Sequence, residues 1–281
     1  MAGYNLVQVG NQTDLMDNDF VNLTYGCDNF EGILIKVNKT GIPGSPYTNG
    51  TLTNAVPLDT TYVTILAGTE TICNRVPLSH FASVNKFEAG TGIVETFSAS
   101  SNKEGLMICE IDTGCWYLDK GAELSVQIHR DVGGTSALTV DVFAKVNGPS
   151  VPSPQTWQYR TDNAFMLPLV ETLYVFGTDL HLSAENVTMQ YGGENVLVPI
   201  EAGAMLVNSD SVGDTLITNM SACYDGIPRE MQINTASTSV TFLAQCKEIV
   251  KSPMVRKARS WIPNKFKSLN AKERIVLSQG H

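Results

Sequence analysis

The sequence predicts an all-β chain: two β-sandwich or jelly-roll-like units joined by a Pro-rich linker and followed by a basic C-terminal tail. Three observations carry this. Where a pattern is clear, apolar residues recur with a period of two, and nothing before residue 246 shows the 3.6-residue spacing of an amphipathic helix. Three prolines fall within residues 148–154, a composition that stiffens the backbone and interrupts a sheet. The charge is unevenly divided. Residues 246–281 hold nine Lys and Arg against two Glu, a net +7, whereas the 245 residues before them hold ten basic and 26 acidic side chains, a net −16. The expected domains are an N-terminal β domain with a polar arm (1–148), the linker (149–154), a second β domain (155–246) and the tail (247–281).

In chain order, residues 1–30 read as a polar, solvated arm. Asp14, Asp17 and Asp19 offer carboxylates to calcium but lack the spacing and the glycine of an EF-hand loop. The expectation is no cofactor, with calcium at these three acids as the alternative. Residues 32–37 form the first apolar, β-branched strand, and 41–54, rich in Pro and Gly, an irregular loop. Strands follow at 62–67, 93–98 and 106–111, with a turn at Asp112-Thr113-Gly114. The best-formed signal is Leu124, Val126 and Ile128 alternating with polar residues, a turn at 131–134, then Leu138, Val140, Val142, Ala144 and Val146 with the same period. This reads as a long antiparallel hairpin with one buried face. Beyond the linker come short strands at 173–176 and 180–182, a hairpin of 187–191 with 196–200, and strands at 205–207, 216–217, 231–233 and 240–244. Turn signals this frequent favour a sandwich or jelly roll over an α/β fold.

The residues that could carry chemistry do not assemble into a motif. Cys27, Cys73, Cys109, Cys115, Cys223 and Cys246 have no C-x-x-C spacing and read as buried free thiols, with Cys109 and Cys115 the pair to test for a disulfide. His80, His129, His181 and His281 lie far from one another and from any ligand partner at metal-binding spacing. There is no nucleophile elbow, H-E-x-x-H or phosphate loop, and Gly90-Thr-Gly92 reads as a strand-entry turn. Glu110 and Asp112, beside Trp116 and Tyr117, are the one carboxylate pair a glycosidase would use; two solvated acids near a turn is the plainer account. Six N-x-S/T sequons read as Thr-rich β surface. The chain start has no cationic segment leading into an apolar run, so no secretory signal is expected, and the apolar clusters are shorter than a membrane span of about 20 residues.

The tail is the informative element. Lys251, Arg256, Lys257, Arg259, Lys265 and Lys267, interleaved with Trp261, suit an anionic surface. Nucleic acid, membrane phosphates and an acidic neighbouring subunit all qualify. If all seven net charges engaged nucleic acid, log affinity would fall against log salt with a slope of about −5 to −6.

The strand pair in 123–146 leading into the prolines of 148–154, the hairpin at 189–200 and the basic segment 247–274 together resemble a viral or phage virion structural protein of the jelly-roll kind. The resemblance is one of architecture. It implies a non-enzymatic capsid or capsid-surface protein, located in the virion, that self-assembles as a homo-oligomer alongside other virion proteins and takes no small-molecule substrate. Small RNA-virus coats usually carry the basic arm at the N-terminus, whereas here it is C-terminal. The alternative is a carbohydrate-binding or adhesion module with Trp116, Tyr117, Trp157 or Tyr159 as the stacking platform.

Overall fold

The computed structural model describes residues 3–42, 60–89, 103–131, 137–162, 164–178, 180, 186–191, 193–206, 208–210, 216–224, 226–234 and 240–247. The first half comprises β1 (Asn5–Leu15), β2 (Phe20–Tyr25), β3 (Asn29–Ile42), β4 (Thr61–Ala67), β5 (Glu70–Pro77), α1 (Leu78–Ala89), β6 (Lys103–Tyr117), β7 (Leu124–Arg130) and β8 (Leu138–Val146). One sheet runs β1-β8-β3-β6 and the facing sheet β2-β7-β4-β5, all antiparallel. Apart from the β4–β5 hairpin, consecutive strands thus alternate between two layers, which is jelly-roll connectivity.

The second half repeats this plan. Its elements are β9 (Ser153–Arg160), β10 (Ala164–Pro168), β11 (Val170–Gly177), β12 (Asn186–Tyr191), β13 (Glu194–Pro199), α2 (Ile200–Leu206), β14 (Asn208–Asp210), β15 (Leu216–Asn219), β16 (Glu230–Asn234) and β17 (Thr241–Lys247). One layer runs β9-β17-β11-β15 and continues to β14, and the other is β10-β16-β12-β13. Between them lies a core that includes Leu173, Val175, Val187, Met189, Ile233 and Phe242. Each such side chain, fully buried, contributes about 1.5–3 kcal/mol of transfer free energy. In both halves a helix follows the fifth strand, so the two jelly rolls are topological copies.

Several expectations change. β7 and β8 alternate buried and half-buried residues along their whole lengths, as the period predicts, but they are not a hairpin: β7 pairs with β2 and β4, and β8 with β1 and β3. Period two identifies a strand and its buried face, not its partner, and here the two apolar faces oppose each other across the sandwich. The polar arm is two strands, β1 and β2, whose edge positions leave most side chains in water. The turn at 112–114 lies within β6 as a bulge: residues 111 and 115 pair with Ile33 and Glu31, so three residues of β6 stand opposite Gly32 alone. Gly32 (φ 74°) and Gly114 (φ 58°) supply the left-handed backbone the bulge needs.

A helix also stands where none was expected. In α1 the side chains of Leu78, Ser79, Phe81, Ala82, Ser83 and Val84 are buried, so the first two turns are enclosed on nearly every side and carry no apolar stripe to betray them, while Lys86 and Glu88 reach water in the last turn. Residues 205 and 206 of the expected strand at 205–207 are instead the end of α2, where Glu, two Ala, Met and Leu favour a helix despite the central Gly203. The hairpin of 187–200 forms, β12 pairing with β13 across a tighter turn at Gly193 (φ 111°), with β13 starting at Glu194 and Ile200 opening α2. The strand expected at 93–98 and most of the loop at 41–54 lie outside the described residues.

Candidate assembly surfaces

The two jelly rolls meet through two devices. β9, the first strand of the second, sits against the first: it pairs with β6 at Gly114↔Pro154 and Cys115↔Ser153, and with β5 at Cys73↔Trp157. A Cβ on Gly114 would stand 2.0 Å from the Ser153 carbonyl oxygen, so only glycine permits this approach. The second device is α1, which lies across the outer face of β9, β17 and β11. Phe81 meets Trp157 edge-on at 5.4 Å, Phe87 meets Tyr174 at 6.2 Å, and His80 contacts Tyr159 at 4.9 Å and Phe176 at 4.4 Å. Such pairs add about 0.5–1.5 kcal/mol each beyond their buried area.

Polar groups at the junction are paired. The Tyr174 hydroxyl donates to Glu88 at 2.6 Å, the Trp157 indole N–H donates to the Asp112 carbonyl, and His80 Nε2 lies 3.1 Å from the Thr241 hydroxyl. Burial pushes the His80 imidazole down to about 4, so it is neutral at physiological pH. Burial, and then the Glu88 carboxylate beside it, push the Tyr174 phenol up.

The connector between the rolls is tied down. Asn29 Nδ2 donates to the Gly148 carbonyl and the Tyr117 hydroxyl to the Ser150 carbonyl, each at 2.8 Å, while the Ser150 hydroxyl donates to Glu31 at 3.0 Å. At the far end of the first jelly roll, the guanidinium of Arg130 is fully buried. It donates to the Leu15 carbonyl at 2.6 Å and lies 3.1 Å from the Asp17 carboxylate. Burial pulls its pKa down, against the pull of Asp17 and Asp19. Asp19 accepts from the Met16 N–H at 2.7 Å. These two acids therefore fix the β1–β2 turn.

Other candidate residues are equally committed. Glu110 pairs with Lys145 at 2.6 Å, and Asp112 accepts from the Gly114 N–H at 2.9 Å. Trp116 (3% exposed) and Trp157 (4% exposed) are core side chains, so neither can stack on a sugar. Tyr117 and Tyr159 spend their exposed rims on the connector and on α1. All six cysteines are free thiols. Cys109 and Cys115 stand six positions apart along one strand, a separation of about 20 Å that no disulfide spans. Burial pushes Cys73 and Cys109 up to about 12, which leaves them un-ionised. His129 and Arg75 both bind Asp131. Among the described residues no three His, Cys, Asp or Glu side chains converge as a metal site.

What the fold leaves open is its edges. Among the described residues the unpaired edges are β1, β2, β10, β13 and β14. Among the described residues eight large apolar side chains are exposed, and six sit on two sides of the fold. Leu6, Met16 and Phe20 belong to the β1/β2 side, Val196, Leu197 and Met205 to the β13/α2 side. β1 and β2 pack together, Gly10 lying under Leu23, and α2 packs on β13, β14 and β15. Sequence reading missed these positions because an exposed Leu is unremarkable until its strand is known to be an edge.

Of the predicted tail, Lys247 is described: it ends β17 and pairs with Glu171 at 3.1 Å. Lys251, Arg256, Lys257, Arg259, Trp261, Lys265 and Lys267 lie outside the described residues, as do His181 and His281. No helix among the described residues is long and apolar enough to cross a membrane.

No family model and no curated protein sequence matches the chain. Solved structures do. The crystal structure of the STIV major capsid protein superposes with a TM-score of 0.60 at 8% identity, over 90% of this chain and 98% of that one. A chain in the atomic structure of Sulfolobus Turreted Icosahedral Virus gives 0.60 at 8% identity, over 99% of this chain and 96% of the other. The fold is that of a viral major capsid protein. At 90% and 99% of this chain the matches take in both of its jelly rolls, and at this identity the likeness is one of backbone, not of side chains.

Proposed function

We propose that the chain is a non-enzymatic structural protein of a virion, a capsid or capsid-surface protein, that self-assembles through its jelly rolls. The observation that carries this reading is the interlocking of two topologically equivalent jelly rolls in one chain, with the backbone of a capsid protein over nearly its full length. The absence of a reaction fits the way Glu110, Asp112, His80 and His129 are spent on internal contacts. The burial of Trp116 and Trp157 counts against the carbohydrate-binding alternative.

In this reading the basic segment 247–281 contacts genome, inner membrane or a neighbouring subunit, with Arg256, Lys257, Arg259, Lys265 and Lys267 as its main cations, aided by Lys251 and Trp261. The test is native mass by light scattering with a simultaneous 260/280 nm ratio at low and moderate salt. Megadalton particles or a fixed oligomer support the reading, and a monomer under both conditions overturns it. Because Lys247 ends a paired strand, a truncation that probes the tail must begin after Glu248. It leaves the thermal midpoint unchanged and reduces particle stability or bound polyanion. Unchanged particles and content would remove the tail's role.

A further inference from the structure

Among the described residues the segment that precedes β1 is Gly3 and Tyr4, and its grip on the fold is the Tyr4 side chain. Gly3, Asn5 and Leu6 are exposed, and the ladder between β1 and β8 begins only at Asn5↔Val146. The Tyr4 ring lies on Gly148 of the connector, so closely that a Cβ there would stand 1.9 Å from Cε1 and 2.2 Å from Cδ1 and Cζ. The Tyr4 hydroxyl donates to Cys115 Sγ at 4.0 Å and lies beside Glu31 and Ser150. Cys115 donates in turn to the Ser150 carbonyl at 3.9 Å, and it is 1% exposed. We propose that the N-terminal segment is a latch on the connector between the jelly rolls. With Tyr4 seated on Gly148, the connector is held against β3 and β6 and Cys115 is covered; when the ring lifts, both are released.

Three observations support a latch. First, the seat is cut for the ring. Gly148 does not hold a left-handed backbone, so the chain conformation itself would accept a side chain there, and what forbids one is Tyr4. Second, what the ring covers is fastened largely by side chains. Asn147 holds a left-handed φ of 53°, a region that residues other than glycine visit sparingly, and Pro149 and Pro152 have no N–H to pair. The Asp28 N–H donates to Asn147 Oδ1 at 3.3 Å, and Asn29, Tyr117 and Glu31 hold Gly148 and Ser150. Third, the latch can open without the fold opening. β1 is an edge strand, paired with β8 alone, and the free end of an edge strand costs least to open. Burial and then the Glu31 carboxylate hold the Tyr4 phenol above its ordinary range, so the hydroxyl stays a donor.

The experiment labels the full chain with iodoacetamide and reads each cysteine by peptide mass spectrometry, in the parent, Tyr4→Ala, Gly148→Ala and the double variant. In Tyr4→Ala, Cys115 should label faster by about tenfold or more, while Cys73 and Cys109, buried in the core, keep the parental rate. Gly148→Ala evicts the ring and should match Tyr4→Ala. The double variant should add nothing, because both changes act on one contact. Cys115 at the parental rate in either single variant overturns the proposal. So does equal acceleration at Cys73 and Cys109, since the fold as a whole would then be opening. A double variant that labels faster than both singles would show that ring and glycine are not one seat, and it too would overturn the latch.

Discussion

The outer faces of two equivalent sheets make an instructive pair. On β9, β17 and β11 the outward positions include Trp157, Tyr159, Tyr174 and Phe176, and Trp157, Tyr174 and Phe176 are each at most 4% exposed because α1 lies on them. On β1, β8 and β3 the corresponding face carries Leu6, Phe143, Leu34 and two ion pairs, with Leu6 in water. The topology is the same, yet one face is composed like a core and the other like a surface. A contact made within a chain is never without its partner, so nothing limits its hydrophobicity. A face left open to water must be tolerable without a partner.

Substitutions can break that comparison. Trp157→Ala removes the ring that joins Phe81, Tyr174 and the Asp112 carbonyl, and should cost about 3–5 kcal/mol in denaturant unfolding. A cost below about 1 kcal/mol would mean the α1 junction is not core-like.

The second test is pH. His80 is neutral when folded, its pKa pushed down to about 4 by burial, against about 6.5 in the unfolded chain. Between those values the unfolded chain binds more protons, so stability must fall as pH drops through that window, by up to about 3 kcal/mol, and level off below it. Thermal midpoints from pH 7 to 4 should fall more steeply for the parent than for His80→Asn; parallel curves would assign the acid sensitivity elsewhere. The smallest effect belongs to the open face. Lys145→Ala breaks a half-exposed ion pair and should change stability by less than about 1 kcal/mol, as the same denaturant assay would show.

How much of this was legible in the sequence depends on which physical signal each feature leaves. Strands such as 124–130 and 138–146 announce themselves because one face is buried and the other is not. Their pairing stays hidden, because these two chain neighbours sit in opposite layers and the register between distant strands leaves no local trace. α1 was invisible for the opposite reason: its first two turns, between β6 and the rings of Trp157 and Tyr174, are buried almost all round, and the exposed Lys86 and Glu88 of its end are too few to set a 3.6-residue rhythm. The acids at 14–19 were conspicuous as a cluster, but the buried arginine that Asp17 and Asp19 offset lies 111 or more residues away on β7. The tail's charge was plain from composition. The edges that carry Leu6 and Leu197 were not, since an edge is a property of the whole sheet.

The end of β17 carries a mechanical consequence. The strand from which the basic segment departs is flanked on both sides, by β9 from Lys247↔Gln155 to Phe242↔Arg160 and by β11 from Cys246↔Val170 to Thr241↔Phe176. Hydrogen bonds between antiparallel strands run perpendicular to them, so a pull along the tail loads both ladders in shear, all rungs at once, instead of peeling them singly. An edge strand in the same place would resist with one ladder only. Tension applied to the chain beyond β17 would therefore meet two ladders before the second jelly roll opens.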